Sequence, residues 1–144
     1  MNKSTLAIIL SSFVVFGCSS YKENVSRAPA NMEVNIVCVL HNVGKTSSSY
    51  LEDLLSESLS NKLIKNEVVL SKEDAAQKGC SHLIQYSARG TATSVSKLRL
   101  SNAIVSQTGS LTRVADIRVK GKLNYSEATT KSKVDHYVSQ LIGH

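Results

Sequence analysis

The chain of 144 residues contains no Trp, and only 5% of it is aromatic. Sugar rings and nucleobases are commonly held by stacking on flat aromatic faces, so a stacking platform is poorly supplied here. Catalytic templates are missing as well. There is no Gly-x-Ser-x-Gly, no His-Glu-x-x-His and no glycine-rich phosphate loop. Gly44-Lys45-Thr46 stands between a predicted strand and a predicted helix, where a phosphate loop would stand. The glycine required five residues earlier is Val39, which excludes a nucleotide site of that kind. His41, His82, His136 and His144 are each alone in sequence, and no Cys-x-x-Cys occurs to form a redox pair. No block of five or six like charges suggests a binding tail. The carboxylates Glu52, Asp53 and Glu57 read as the solvated flank of a helix.

What is present begins at the N-terminus. Lys3 precedes an apolar run from Leu6 to Phe16, broken by Ser11 and Ser12 and followed by Gly17-Cys18. A positive start, a short apolar stretch and a small residue at the cut make a secretory signal. The run is about half of the ~20 apolar residues a spanning helix needs. Val15-Phe16-Gly17-Cys18 resembles the lipobox of bacterial lipoproteins, with Phe16 where a small or β-branched residue is usual. The resemblance implies cleavage before Cys18, a thioether-linked diacylglycerol on its sulfur and a further acyl chain on its amine. Two or more chains give stable anchoring, where one gives only marginal binding. Ser19, where such lipoproteins carry Asp when retained at the inner membrane, implies export to the outer membrane. The expected location is therefore the outer membrane, lipid-anchored and facing the periplasm.

Three segments follow from this reading: a signal at 1–17, a lipidated N-terminus and flexible tether at 18–32, and one globular domain at 33–144. Removing 1–17 takes away only Lys3 and leaves 127 residues, one core's worth, with a formal charge of +5. Fourteen residues of flexible tether would span roughly 20 Å, enough to stand off a membrane but not to cross the periplasm. A basic balance invites nucleic acid, but export argues against that partner. Lipid headgroups, other anionic envelope polymers or an envelope protein remain.

Cys38 and Cys80 are the thiols left beside Cys18. In an oxidising compartment an even number of cysteines pairs. A Cys38–Cys80 bridge closes a loop of about 43 residues, worth ~4 kcal/mol in the chain-entropy model. A competing reading combines Cys38-x-x-His41 with Cys80-x-His82 as a metal-dependent or thiol-based site of two sulfurs and two imidazoles. Oxidation would remove the thiolates zinc needs. Residues one or three positions along a strand also face away from the cysteine.

Periodicity supplies the elements. Glu33 to Leu40 is a near-continuous apolar run, suited to a strand buried on both faces. A helix is predicted from Tyr50 to Lys65, with Ser49 and Glu52 as a capping box and Leu51, Leu54, Leu55, Leu59 and Leu63 on one face. Glu67 to Leu70 reads as a short strand. Ser71 caps one or two helical turns that Gly79 stops. Strands follow at Ser81 to Ala88, Val95 to Ser106 and Leu111 to Leu123, the last two joined by a turn at Thr108-Gly109-Ser110. A helix from Lys131 to Ile142 sets Val134, Tyr137, Val138, Leu141 and Ile142 on one face. The predicted fold is α/β (α+β): a two-layer sandwich, β-α-β-β-β-β-like, with a mostly antiparallel sheet and two helices packed on one face. The other face of the last two strands carries Lys97, Arg99, Arg118 and Lys120, a possible contact for an anionic surface.

The chain also resembles a family of short, uncharacterised proteobacterial outer-membrane lipoproteins. The likeness lies in the lipobox at Cys18, Val37-Cys38-Val39-Leu40-His41-Asn42, and Cys80 opening a strand with Tyr86 and Ala88. It continues through Lys97-Leu98-Arg99-Leu100, Gly121-Lys122-Leu123-Asn124 and Thr130-Lys131-Ser132-Lys133-Val134-Asp135. The family has no assigned activity. The resemblance implies lipidation at Cys18 and pairing of Cys38 with Cys80. The expected function is a non-catalytic binding or accessory module that needs no cofactor.

Overall fold

The computed structural model describes residues 21–144. It is an α+β fold built on one open, mixed sheet of six strands with three helices. The strands are β1 (Lys22–Ser26), β2 (Ile36–Leu40), β3 (Lys65–Val69), β4 (His82–Gly90), β5 (Ser94–Val105) and β6 (Leu111–Asn124). The helices are α1 (Ser49–Asn61), α2 (Lys72–Gln77) and α3 (Ala128–Ile142). Strand order across the sheet is β1-β6-β5-β4-β2-β3. The β2 strand is parallel to both β3 and β4, and the remaining pairs are antiparallel. Its apolar run fits that central parallel position, because both of its faces are covered.

One face of the sheet is the main core. Leu51, Leu55 and Leu59 of α1 and Val134, Tyr137, Val138, Leu141 and Ile142 of α3 pack there on Val37, Ile84, Leu100 and Ile117. Both long helices thus cover the same face, as their single apolar stripes require. The opposite face is covered at one end only. There α2, capped by Ser71 Oγ accepting from Asp74 N at 3.0 Å, lays Ala75 over Cys38, Val69, Cys80 and Leu83.

Three local expectations change. Residues 22–26, read as tether, form β1 against β6 in the register Lys22↔Lys120 to Ser26↔Asp116. The segment continues along the C-terminus of α3, with Ala28 N donating to Gln140 O and Asn31 N to Gly143 O. Without β1 the outer edge of β6 would carry unpaired backbone groups. All five β1 residues are exposed, so no apolar period marks the strand in sequence. The second change is at the start of α1, where the cap is Ser48, its Oγ accepting from Leu51 N at 3.2 Å. The third is at its end. The helix stops at Asn61, and Leu63 stands in the left-handed region at φ 61, 95% exposed, outside the leucine stripe.

Candidate functional site

Cys18, the expected lipidation site, lies outside the described residues. The first described residues are fixed to the domain. Tyr21 packs its ring against Gly121, whose φ of +150 no side chain would favour. A Cβ at Gly121 would lie 2.4 Å from Tyr21 Cδ2. The Tyr21 hydroxyl meets that of Tyr137, which in turn donates to Glu23 Oε1 at 2.7 Å. The Lys133 ammonium sits 3.8 Å from the centroid of the Tyr21 ring. Burial pushes the Tyr21 hydroxyl up to about 12, so it stays a neutral partner. Burial also pushes the Glu23 carboxyl upward, but the hydroxyls of Tyr137 and Tyr21 and the nearby Lys133 outweigh it and hold the group below its usual range. The N-terminal strand is therefore fixed to α3 at its first residues.

Cys38 and Cys80 form a disulfide with their Cα atoms 5.9 Å apart. It lies beneath α2 on the sheet face away from α1 and α3. The alternative set of Cys38, His41, Cys80 and His82 is not assembled as a ligand sphere, since its sulfurs are bonded to each other. Strand alternation separates the rest. His82 pairs with Val37 on the helix-covered face, while Cys38 points to the other. Burial holds the His82 imidazole below its ordinary value. Its Nδ1 meets Ser81 Oγ at 2.9 Å, and Nε2 has no partner among the described residues. Among the described residues no group of three or more His, Cys, Asp or Glu side chains is placed to hold a metal ion.

His41 belongs to a polar brace that the sequence did not reveal. Its Nδ1 lies 3.0 Å from Glu52 Oε1, and Glu52 Oε2 accepts from the Tyr86 hydroxyl. Ser48 N donates to Tyr86 Oη at 3.0 Å, and Asn42 Nδ2 donates to Tyr86 O at 3.0 Å. Burial pushes the Tyr86 hydroxyl up to about 12. Glu52 is thus buried rather than part of a solvated flank. The period of α1 places it beside Leu55 and Leu59, so its position one residue after Leu51 was the available signal. These bonds tie the β2–α1 loop to the helix start and to β4.

The four basic residues named from the sequence do come together. On the open face Lys97 sits opposite Lys120, and Arg99 opposite Arg118. They line a shallow depression of about 300 Å³ with Ser87 and Arg89. The register adds two cations that sequence patterning did not supply. Lys22 pairs with Lys120, and Arg89 pairs with Lys97. One row therefore reads Lys22–Lys120–Lys97–Arg89 across four neighbouring strands. With strands about 4.8 Å apart it spans ~14 Å. The next row is partly balanced: Asp116 takes Arg99 Nε at 3.2 Å and Arg118 Nε at 3.3 Å. No carboxylate pairs with the four cations of the first row among the described residues. Like charges directly opposite one another on a sheet are destabilising.

No protein-family model matches the sequence, and no curated protein does. Solved structures are similar in fold. A point variant of the PelC dodecamer from Paraburkholderia phytofirmans superposes with a TM-score of 0.61 at 10% identity, covering 86% of this chain and 99% of that one. The PelC dodecamer of the same organism in another crystal form gives 0.56 at 9% identity, covering 85% and 95%. At such identity the likeness is one of fold alone: this six-stranded sheet with its helices is an architecture that also occurs in an assembly of twelve copies.

Proposed function

We propose that the protein is a lipid-anchored outer-membrane lipoprotein, facing the periplasm, that acts as a non-catalytic binding or accessory module. The observation that carries this reading is the Cys38–Cys80 disulfide beside the lipobox at Cys18. A structural disulfide suits an oxidising compartment, and the signal supplies the route there. The binding element is the open basic face around Lys97, Arg99, Arg118 and Lys120, offered to an anionic envelope component. Labelling cells with a fatty acid tests the anchor. The wild-type protein should take up label and stay with outer membranes in high salt, and Cys18→Ser should take up no label and be released by high salt. An unlabelled wild type, or two titratable thiols in the purified protein, would count against the reading.

Self-association belongs to the same proposal. The solved neighbours are dodecamers, and β3 is an edge strand flanked by the exposed side chains of Leu63, Val68 and Leu70. An apolar, unpaired edge is a template for another chain. Native mass measurement should show a species larger than the monomer, shifted toward monomer by Leu63→Asp with Leu70→Asp. A wild type that is monomeric at all concentrations would remove self-association and leave the anchor untouched.

A further inference from the structure

The row Lys22–Lys120–Lys97–Arg89 lies at the end of the sheet where the chain enters from Cys18. We infer that this row docks the domain onto the anionic phospholipid headgroups of the same leaflet that holds its lipid. The inference rests on the anchoring proposed above and adds a second, electrostatic contact to it.

Covalent reach makes the argument. Lys22 is the first residue of β1 and the first member of the row. Three residues lie between it and Cys18, four Cα steps that span at most about 14 Å even when fully extended. Tyr21 is clamped by Gly121, Tyr137 and Lys133, so the exit point is fixed on the sheet. A domain on a 14-residue tether could sample positions far from the bilayer. With the first strand fixed, Lys22 stays within about 14 Å of the lipidated residue, and the rest of the row can swing down onto the headgroups about this short link. Basic residues next to an anchored segment are drawn to anionic lipid once they come within about a Debye length of it.

Charge and shape agree with this placement. The row members are exposed, and none has a carboxylate partner among the described residues. Their mutual repulsion opposes folding, and a sheet of lipid phosphates would relieve it. The α2 helix covers only the far part of this face, leaving the area around Lys97 and Lys120 free to meet a flat surface. Acyl chains with a basic patch form the two-signal arrangement that holds proteins firmly at membranes.

The test uses Cys18→Ser protein, so that lipid does not mask the electrostatic contact. It should co-sediment with phosphatidylcholine vesicles containing phosphatidylglycerol and not with pure phosphatidylcholine, and salt should weaken it. Each cation removed from the row should cost about 5-fold in partitioning, so Lys97→Gln with Lys120→Gln should cost about 25-fold. Lys22→Gln with Arg89→Gln, at the two ends of the row, should do the same without touching its centre. Lys65→Gln with Lys72→Gln removes equal charge elsewhere and should leave binding near wild type. Equal binding by the wild type and both row variants would overturn the inference. So would an equal loss in the Lys65 and Lys72 control, or capture by isolated sacculi with none by vesicles. Fatty-acid labelling of the wild type reads the anchor separately, so failure of the anchor and failure of the row are told apart.

Discussion

Leu63 is the residue whose conformation and exposure agree least with its type. A left-handed backbone costs an L-residue roughly 1–2 kcal/mol, and here no packing offsets it, since the side chain is almost wholly in solvent. Glycine at this position after a helix removes the clash but adds about 0.5–1 kcal/mol of unfolded-state entropy. Leu63→Gly should therefore stabilise the monomer by roughly 0.5–1 kcal/mol in urea unfolding. His82 gives the second residue-scale expectation. It is buried and neutral, with its folded value depressed by desolvation. The unfolded chain takes up the proton first as pH falls through about 6.5, so stability is complete above that pH and declines below it. The decline ends once pH is below the folded value. Between pH 7 and 5.5 the slope is at most about 1.4 kcal/mol per pH unit from this group. The depressed carboxylates Glu23 and Asp135 act at lower pH. His82→Leu should flatten the pH 7 to 5.5 interval, read from unfolding midpoints. An unchanged slope would mean that another group titrates there.

At the scale of elements, β1 separates what patterning can reveal from what pairing decides. Its sequence, Lys22-Glu23-Asn24-Val25-Ser26, has no apolar alternation and reads as linker. It becomes a strand because β6 presents a long free edge and Tyr21 has a slot over Gly121. Filling that slot should release the strand. Gly121→Ala forces the Tyr21 ring away, and protease sites within residues 22–32 should open several-fold faster while the core stays folded. Uniform protection would show that β1 is held by β6 alone. The helices behaved differently. The stripes of α1 and α3 were legible because each buries one face against the same sheet, and only their ends moved. At the start of α1 the difference was one residue, Ser48 for Ser49. It arose because Glu52 turns inward to Tyr86 and His41 rather than back to the cap.

At the scale of the whole molecule, the disulfide joins β2 to the segment entering β4 across 42 positions of sequence and secures the smaller core under α2. That core is a minor part of the hydrophobic interior, so its cross-link matters more than its area. Cys38→Ala with Cys80→Ala should lower the unfolding free energy by ~4 kcal/mol, measured by guanidinium denaturation at neutral pH. A loss well under 1 kcal/mol would show that the bridge does little to restrict the unfolded chain.

Local chemistry in the sequence was enough to determine the apolar run of β2, the helical stripes and the alternation of β5 and β6. Each depends on neighbours within a few residues, whose spacing is the period of the element they form. It also placed Lys97, Arg99, Arg118 and Lys120 on one face, because a hairpin fixes its own register. Only the tertiary structure decided that Lys22 and Arg89 complete a row with Lys120 and Lys97, that the supposed tether is a strand, and that Glu52 is buried. Those facts depend on pairings between residues far apart in sequence, which leave no local period. They follow from satisfying the backbone groups of a sheet edge and filling one core, conditions set by the whole fold at once.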